Sequence, residues 1–458
     1  MILILGVALT CLVGWLIIAE WVRCGRMPAL ALSFAAGAGV LSLEMFFFGL
    51  AHLPWNVWVL LLPWAPVAYL RLRNWRPALR PVEWPNWLEW IALAAMLAAP
   101  LAWLPYERVM PLNTRDWDAW AIWLFKAKAF FLDGNLAGFL GRAGEFLSQP
   151  SYPLLIPLYG TFLYRLAGAP ADWLGKAISP CFFFALLGAF YYLARRFGSR
   201  PAALVFTAML ANLHMVNIVA FELAGYADTA LSVYLLLGAG FLYAWWREGQ
   251  MGDLALASLF SALAAWTKNE GLFFLAGAGT VMVGGLAWKR ARDWRAWAAA
   301  LAWPALAVVP WIVVRHIYGV PGSDVLAGGP VAWGNLWAGL AGILGQAAKV
   351  SVYNLTFWLV VASLLLAGRA GLGKSWWILP GLVLWQLAGL VGAYLSSRND
   401  IQWWIGTSLD RILSQVAPLA LLAAALVADA WLAAPAKQAE EAAAPAGRAE
   451  RRRTQRKR

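Results

Sequence analysis

Apolar runs of roughly twenty residues return along the whole of this chain, and they leave it few ways to fold. Wound as a helix, each run is long enough to cross about 30 Å of hydrocarbon. Hydrophobic residues make up 62% of the 458 positions and charged residues 13%. A typical soluble domain is about a quarter charged, and a water-soluble fold could not cover so much apolar surface. The runs therefore predict an all-α, polytopic integral membrane protein. The 31 tryptophans agree, because indoles anchor where hydrocarbon meets headgroup.

About thirteen spans are expected, at roughly 2–22, 29–51, 55–70, 88–104, 172–194, 202–220, 228–246, 253–267, 271–288, 296–316, 347–367, 375–395 and 410–432. The run after Met1 precedes its first positive charges, Arg23 and Arg26, which predicts a retained span rather than a cleaved leader. Lysines and arginines gather in alternate connections: Arg23/Arg26, Arg71 to Arg80, Arg195 to Arg200, Arg247, Lys289 to Arg295, Arg369/Lys374 and the tail from Lys437. By the positive-inside rule these are cytoplasmic, as is the C-terminus. The segment Pro153 to Gly168 is apolar, yet a crossing there would put Arg195, Arg196 and Arg200 outside. With Pro150, Pro153, Pro157 and Arg165 in or beside it, it is expected to be re-entrant or interfacial.

This arrangement places 24 of the 36 basic residues on the cytoplasmic side and leaves the outer side electrically balanced. The net charge of +13 thus reflects orientation and a basic tail, and nucleic acid is not an expected partner. Three organisational units follow: an N-terminal three-helix segment (1–87), a membrane region with a long outer loop at 105–171 (88–432), and a disordered cytoplasmic tail (433–458) able to touch anionic membrane lipid. Cys11, Cys24 and Cys181 give neither a disulfide framework nor zinc spacing.

Cytoplasmic connections are short, so chemistry is expected outside. The first outer loop carries Asp116-Trp117-Asp118 and then an amphipathic helix over Ala121 to Asp133 with Lys126 and Lys128. A carboxylate there can act as general base on an acceptor hydroxyl, and the lysines can meet an anionic headgroup. The plainer alternative is an interfacial helix with tryptophan anchors, snorkelling lysines and a capping aspartate. Glu222 and Asp228 flank a tight turn, Asp228 also suiting a helix start. Thr267-Lys268-Asn269-Glu270-Gly271 joins two spans so tightly that Lys268 and Glu270 must lie at the outer face. Arg398 sits in the last outer loop, and Arg411 beside Asp410 enters the final span, where an arginine is costly unless paired or used. Arginine also suits phosphate recognition.

Taken in order, these segments resemble the polytopic GT-C glycosyltransferases, which include protein O-mannosyltransferases, bacterial aminoarabinose transferases, oligosaccharyltransferase catalytic subunits and bacterial family-39-like members. The matching features are the first-loop acids Asp116 and Asp118, the segment Gln149 to Leu155, Tyr226-Ala227-Asp228, Thr267 to Gly271, and Arg411 to Pro418. The resemblance implies a GT-C-like fold with amphipathic juxtamembrane helices in the first outer loop. It implies a sugar donor carried on polyprenyl phosphate and a glycan, lipid or protein acceptor, joined at the outer face of a cell membrane such as the bacterial inner membrane. Asp118 becomes the first choice for catalytic base and Asp116 the second. Asp228 becomes an acid orienting the acceptor or the base, and Lys268, Arg411, Lys126 or Lys128 hold the donor phosphate. No cofactor is demanded, since lipid phosphate is a fair leaving group, with a divalent ion at Asp116, Asp118 and Asp228 as the alternative. Four spans before the acidic loop, and no C-terminal soluble domain, depart from the family pattern. Two other readings are a transporter or flippase of lipid-linked or charged substrates, and a non-catalytic envelope-assembly subunit.

Overall fold

The computed structural model describes residues 1–22, 26–73, 86–107, 117–142, 148–322, 331–370, 372–397 and 400–443. Among them every regular element is a helix. Seven helices are long and apolar enough to cross a bilayer: Pro28–Leu50, Asp172–Phe197, Asp228–Glu248, Asn269–Trp288, Trp294–Ile317, Lys374–Ser396 and Leu409–Ala433. The chain is thus a multi-pass, all-helical membrane protein. Asp228–Glu248 is its central column, buried along nearly its whole length, whereas most of Trp294–Ile317 faces outward.

The remaining expected spans take other forms. Ile2–Ile18 and Met251–Thr267 are helices of 17 residues, and Thr356–Ala370 is one of 15. At 1.5 Å per residue they fall several ångströms short of about 30 Å. The 88–104 segment lies within a helix, Trp87–Glu107.

Two expected spans are broken. Residues 55–70 form two helices, Val57–Leu61 and Trp64–Arg73, parted at Pro63, which has no backbone N–H to donate. Trp64 Nε1 donates to Glu44 at 2.9 Å and Arg71 pairs with Glu20 at 2.7 Å, so the second helix is tied down at both ends. Residues 202–220 become Arg200–Ala211 and His214–Glu222, meeting at 65°. Side-chain amides donate to backbone carbonyls around that break: Asn217 Nδ2 to Ala211 O and Leu213 O, and Asn212 Nδ2 to Ala208 O and, on the Trp87–Glu107 helix, to Ala95 O.

The segment expected to stay out of the crossing set forms a 13-residue helix, Leu155–Ala167, about 20 Å long. It is not interfacial, however. Its residues from Leu155 to Tyr164 are all buried, and it packs as a half-length helix inside the bundle against Pro28–Leu50 and Leu124–Asp133. The tail expected to be disordered from Ala433 is helical as far as Ala443, because the helix opened by Leu409 runs on to that residue; residues 444–458 lie outside the described set.

Helix pairs are drawn together by small residues and polar contacts, as expected where lipid removes the hydrophobic drive between helices. A Cβ on Gly14 would stand 1.8 Å from Ser33 O, and one on Gly37 would stand 1.9 Å from Thr10 O. The first two helices therefore touch backbone to backbone. Trp266 Nε1 donates to Ser42 Oγ at 2.9 Å, and the Tyr234 hydroxyl donates to Ala35 O at 2.9 Å, joining the second helix to the central ones. At one end of the bundle, Arg196 pairs with Asp253 at 2.7 Å and Arg200 with Glu89 at 2.8 Å. Gly37→Ala should destabilise the protein by about 1–3 kcal/mol through overpacking, whereas Gly279→Ala, with no neighbour in reach, should be neutral. Thermal unfolding in detergent micelles checks this, with only the Gly37 variant melting several degrees early.

Candidate active site

At the opposite end of the bundle, residues from four distant stretches of sequence meet around Asp228. This aspartate opens the central helix and is fully buried. Ala227, not Asp228, is the capping residue, so the carboxylate is released from capping and turns to side chains. Its Oδ1 accepts from Lys268 Nζ at 3.0 Å and from Gln415 Nε2. Its Oδ2 lies 3.6 Å from Arg411 Nη1, an ion pair too long for a hydrogen bond. Arg411 Nη1 in turn donates to Asp118 Oδ2 at 2.6 Å. The two carboxylates thus share one guanidinium nitrogen.

Local structure fixes each of these side chains. The turn before Asp228 passes through Gly225 at φ +92°, a left-handed conformation that glycine adopts without strain. A Cβ there would meet Ala119, the residue after Asp118, at 2.9 Å. Ser179 Oγ locks the turn by accepting from Gly225 N at 2.9 Å and donating to Tyr226 O at 3.2 Å. The Tyr226 ring then lies beneath the Arg411 guanidinium, 5.0 Å away, while its hydroxyl accepts from Asp118 N at 3.3 Å. Lys268 comes from a connection with no slack, since a Cβ on Gly271 would stand 1.9 Å from Ala264 O. Arg411 and Gln415 are four residues apart on one helix and so share a face.

Charge is balanced by pairing. Lys268 bridges Asp228 and Glu270, the latter at 2.9 Å. Burial opposes its positive charge, but Asp228 and Glu270 outweigh that, and the ammonium is held above its ordinary value.

All of these charged groups except the sealed Asp228 line a cavity of about 680 Å³. Asp118, Lys268, Glu270 and Arg411 supply its charged wall, with Asp410 beside them. Trp117, Tyr152, Phe273, Trp403 and Trp404 supply aromatic surface. Asp118 is partly exposed to this space, and among the described residues its second carboxylate oxygen has no protein partner. Several acceptors are buried without a partner, including Glu270 Oε2 and Gln386 Oε1, both on cavity-lining residues. Such a wall suits a ligand rich in hydroxyl donors.

Not every expected residue belongs to the cavity. Lys126 is buried behind its wall, donating to Gln149 O at 2.6 Å, with the rings of Trp123, Phe139 and Tyr152 each 5.9 Å away. Lys128 is drawn to Asp172 in an ion pair. Lys126 is buried rather than snorkelling and Asp118 makes no side-chain capping bond, so the plainer reading of this loop does not hold at these two residues. Glu222 is exposed and outside the lining set, although Leu223 and Tyr226 are within it. Asp116 and Arg398 lie outside the described residues. Sequence reasoning missed Gln415, whose i+4 spacing from Arg411 is the available signal, and Gln386, and it gave Tyr226 and Asp410 no role of their own. No family model, curated protein or solved structure matches this chain.

Lys126 has no carboxylate partner among the described residues, and burial pushes its ammonium down to about 7 from 10.5. Below about pH 7 folded and unfolded forms both carry the charge, and the folded form bears the full cost of burying it. Between about 7 and 10.5 the folded form sheds the proton while the unfolded form keeps it, so stability rises with pH across that window. In thermal unfolding the wild type should therefore gain stability between about pH 7.5 and 9.5 relative to Lys126→Met. Parallel curves for the two proteins would show that burial does not discharge Lys126.

Proposed function

We propose that this chain is a membrane glycosyltransferase of the GT-C type, moving a sugar from a polyprenyl-phosphate donor to an acceptor hydroxyl at the extracytoplasmic face. The observation that carries this reading is the convergence of Asp118, Lys268 and Arg411 on one cavity, with Asp228 buried behind the two cations. The donor phosphate meets Arg411 and Lys268, and the acceptor hydroxyl meets Asp118.

Asp118 takes the hydroxyl proton as the acceptor oxygen attacks the anomeric carbon, and the bond from that carbon to the phosphate oxygen breaks. Configuration inverts. The negative charge that grows on the leaving lipid phosphate falls on the two cations, which the protein already holds in place. Asp228 is the fixed counter-ion that aims them, and the aromatic wall and unpartnered acceptors suit a sugar ring with its hydroxyls. Lys126 and Lys128 have no part in donor binding under this reading. The positive-inside distribution sets the cavity on the outer side and the C-terminus in the cytoplasm.

A transporter reading draws on the 65° break in Arg200–Glu222, because Met215 of that segment and Leu223, just after it, line the same cavity. It predicts substrate movement with no sugar transfer.

Membranes carrying the wild type and Asp118→Asn, supplied with radiolabelled polyprenyl-phosphate sugars, separate these readings. The variant should lose about 10²–10⁴-fold in transfer rate at normal expression. Wild-type transfer by the variant removes Asp118 as base, and transport without transfer by the wild type favours the rival. For orientation, Gly168→Cys should react with an impermeant thiol reagent from outside; labelling from the cytoplasmic side alone would invert the topology.

A further inference from the structure

A second cavity, of about 510 Å³, lies beside Arg165, away from the residues of the candidate active site. Its walls are Pro54 to Trp58, Gly134, Arg165 and Leu166. Arg165 stacks on the Phe131 ring at 4.7 Å and donates through Nη2 to Phe131 O at 2.7 Å. Its Nε is buried without a partner. No carboxylate pairs with it among the described residues, and Nη1 neither is buried nor has a protein acceptor there. Asn56 lies across the cavity; its Oδ1 accepts from Trp58 N at 2.9 Å, which leaves its amide nitrogen as a second donor.

Position decides what this cavity meets. Pro54 follows the span Pro28–Leu50 by four residues, and Arg165 precedes the span Asp172–Phe197 by seven. Both walls thus stand where a membrane span ends, and Trp58, 79% exposed, is an indole at that boundary. An arginine with no counter-ion at such a depth calls for an anion supplied from outside the protein, and guanidinium matches phosphate oxygens. We propose that this cavity binds the phosphate of an anionic glycerophospholipid, held by Arg165 and Asn56 with the acyl chains running down the lipid-facing surface. The lipid becomes a brace for the active-site loop, because Arg165 also grips the C-terminal end of the Leu124–Asp133 helix that follows Asp118.

Native mass spectrometry of the full-length protein, released from micelles doped with phosphatidylglycerol or phosphatidylcholine, tests this without reference to any sugar transfer. The wild type should retain phosphatidylglycerol in preference to phosphatidylcholine. Arg165→Gln should weaken that retention by about tenfold, the scale of one charged hydrogen bond. Trp58→Glu leaves Arg165 in place and should weaken it similarly by repulsion, while Arg142→Gln, whose wild-type residue pairs with Asp133, should not. Equal retention of both lipids by the wild type, or unchanged phosphatidylglycerol retention in both Arg165→Gln and Trp58→Glu, would overturn the proposal. Displacement of phosphatidylglycerol by millimolar inorganic phosphate would also overturn it, by making the site one for free anions.

Discussion

One buried cluster of charge governs the rest of the candidate site: Asp228 beneath Lys268 and Arg411. Removing an isolated carboxylate from water costs several kcal/mol, so Asp228 is tolerable at the start of the central helix only with its partners in place. Those partners come from a connection near residue 268 and a helix that opens at residue 409. Their positions therefore follow from the requirement that Asp228 be neutralised, and Asp118 is drawn in because the same Arg411 nitrogen donates its hydrogen bond to it. The cavity is what remains among these elements once the charges are paired.

The membrane character of the chain was legible in its sequence because hydrophobic length is a one-dimensional property. The number of spans was less so. A run such as 55–70 has the composition of a span, yet Pro63 divides it, and 202–220 divides at Asn212, where amide side chains stand in for lost backbone partners. Composition does not report whether freed carbonyls find such donors. The segment 153–168 illustrates the reverse case, since charge placement along the chain kept it from being counted as a crossing, while its burial is a property of its neighbours.

The site was legible in part, for a related reason. Asp118, Asp228, Lys268 and Arg411 stood out because charge is rare in apolar surroundings. Sequence could not separate Lys126 from Lys128, two positions apart on one helix: one side chain turns inward among three rings and the other reaches Asp172. Nor could it foresee that Asp228 would be sealed from the cavity while Asp118 faces it. Neutral polar residues such as Gln415 and Gln386 escaped notice because their role depends wholly on what lies across the space they face.

The ion pair between Asp118 and Arg411 joins residues 293 positions apart. During synthesis most of the membrane region is inserted before the helix that carries Arg411 and Gln415 exists. Until it arrives, Asp228 has Lys268 as a partner but lacks its other two, and Asp118 has no cation. The nascent protein therefore passes through a long interval in which most of its spans are in place and its buried charge cluster is not yet paired. Docking of the Arg411 helix brings both remaining partners to Asp228 and the cation to Asp118 in a single event, so a chain inserted without that helix lacks the paired charge cluster.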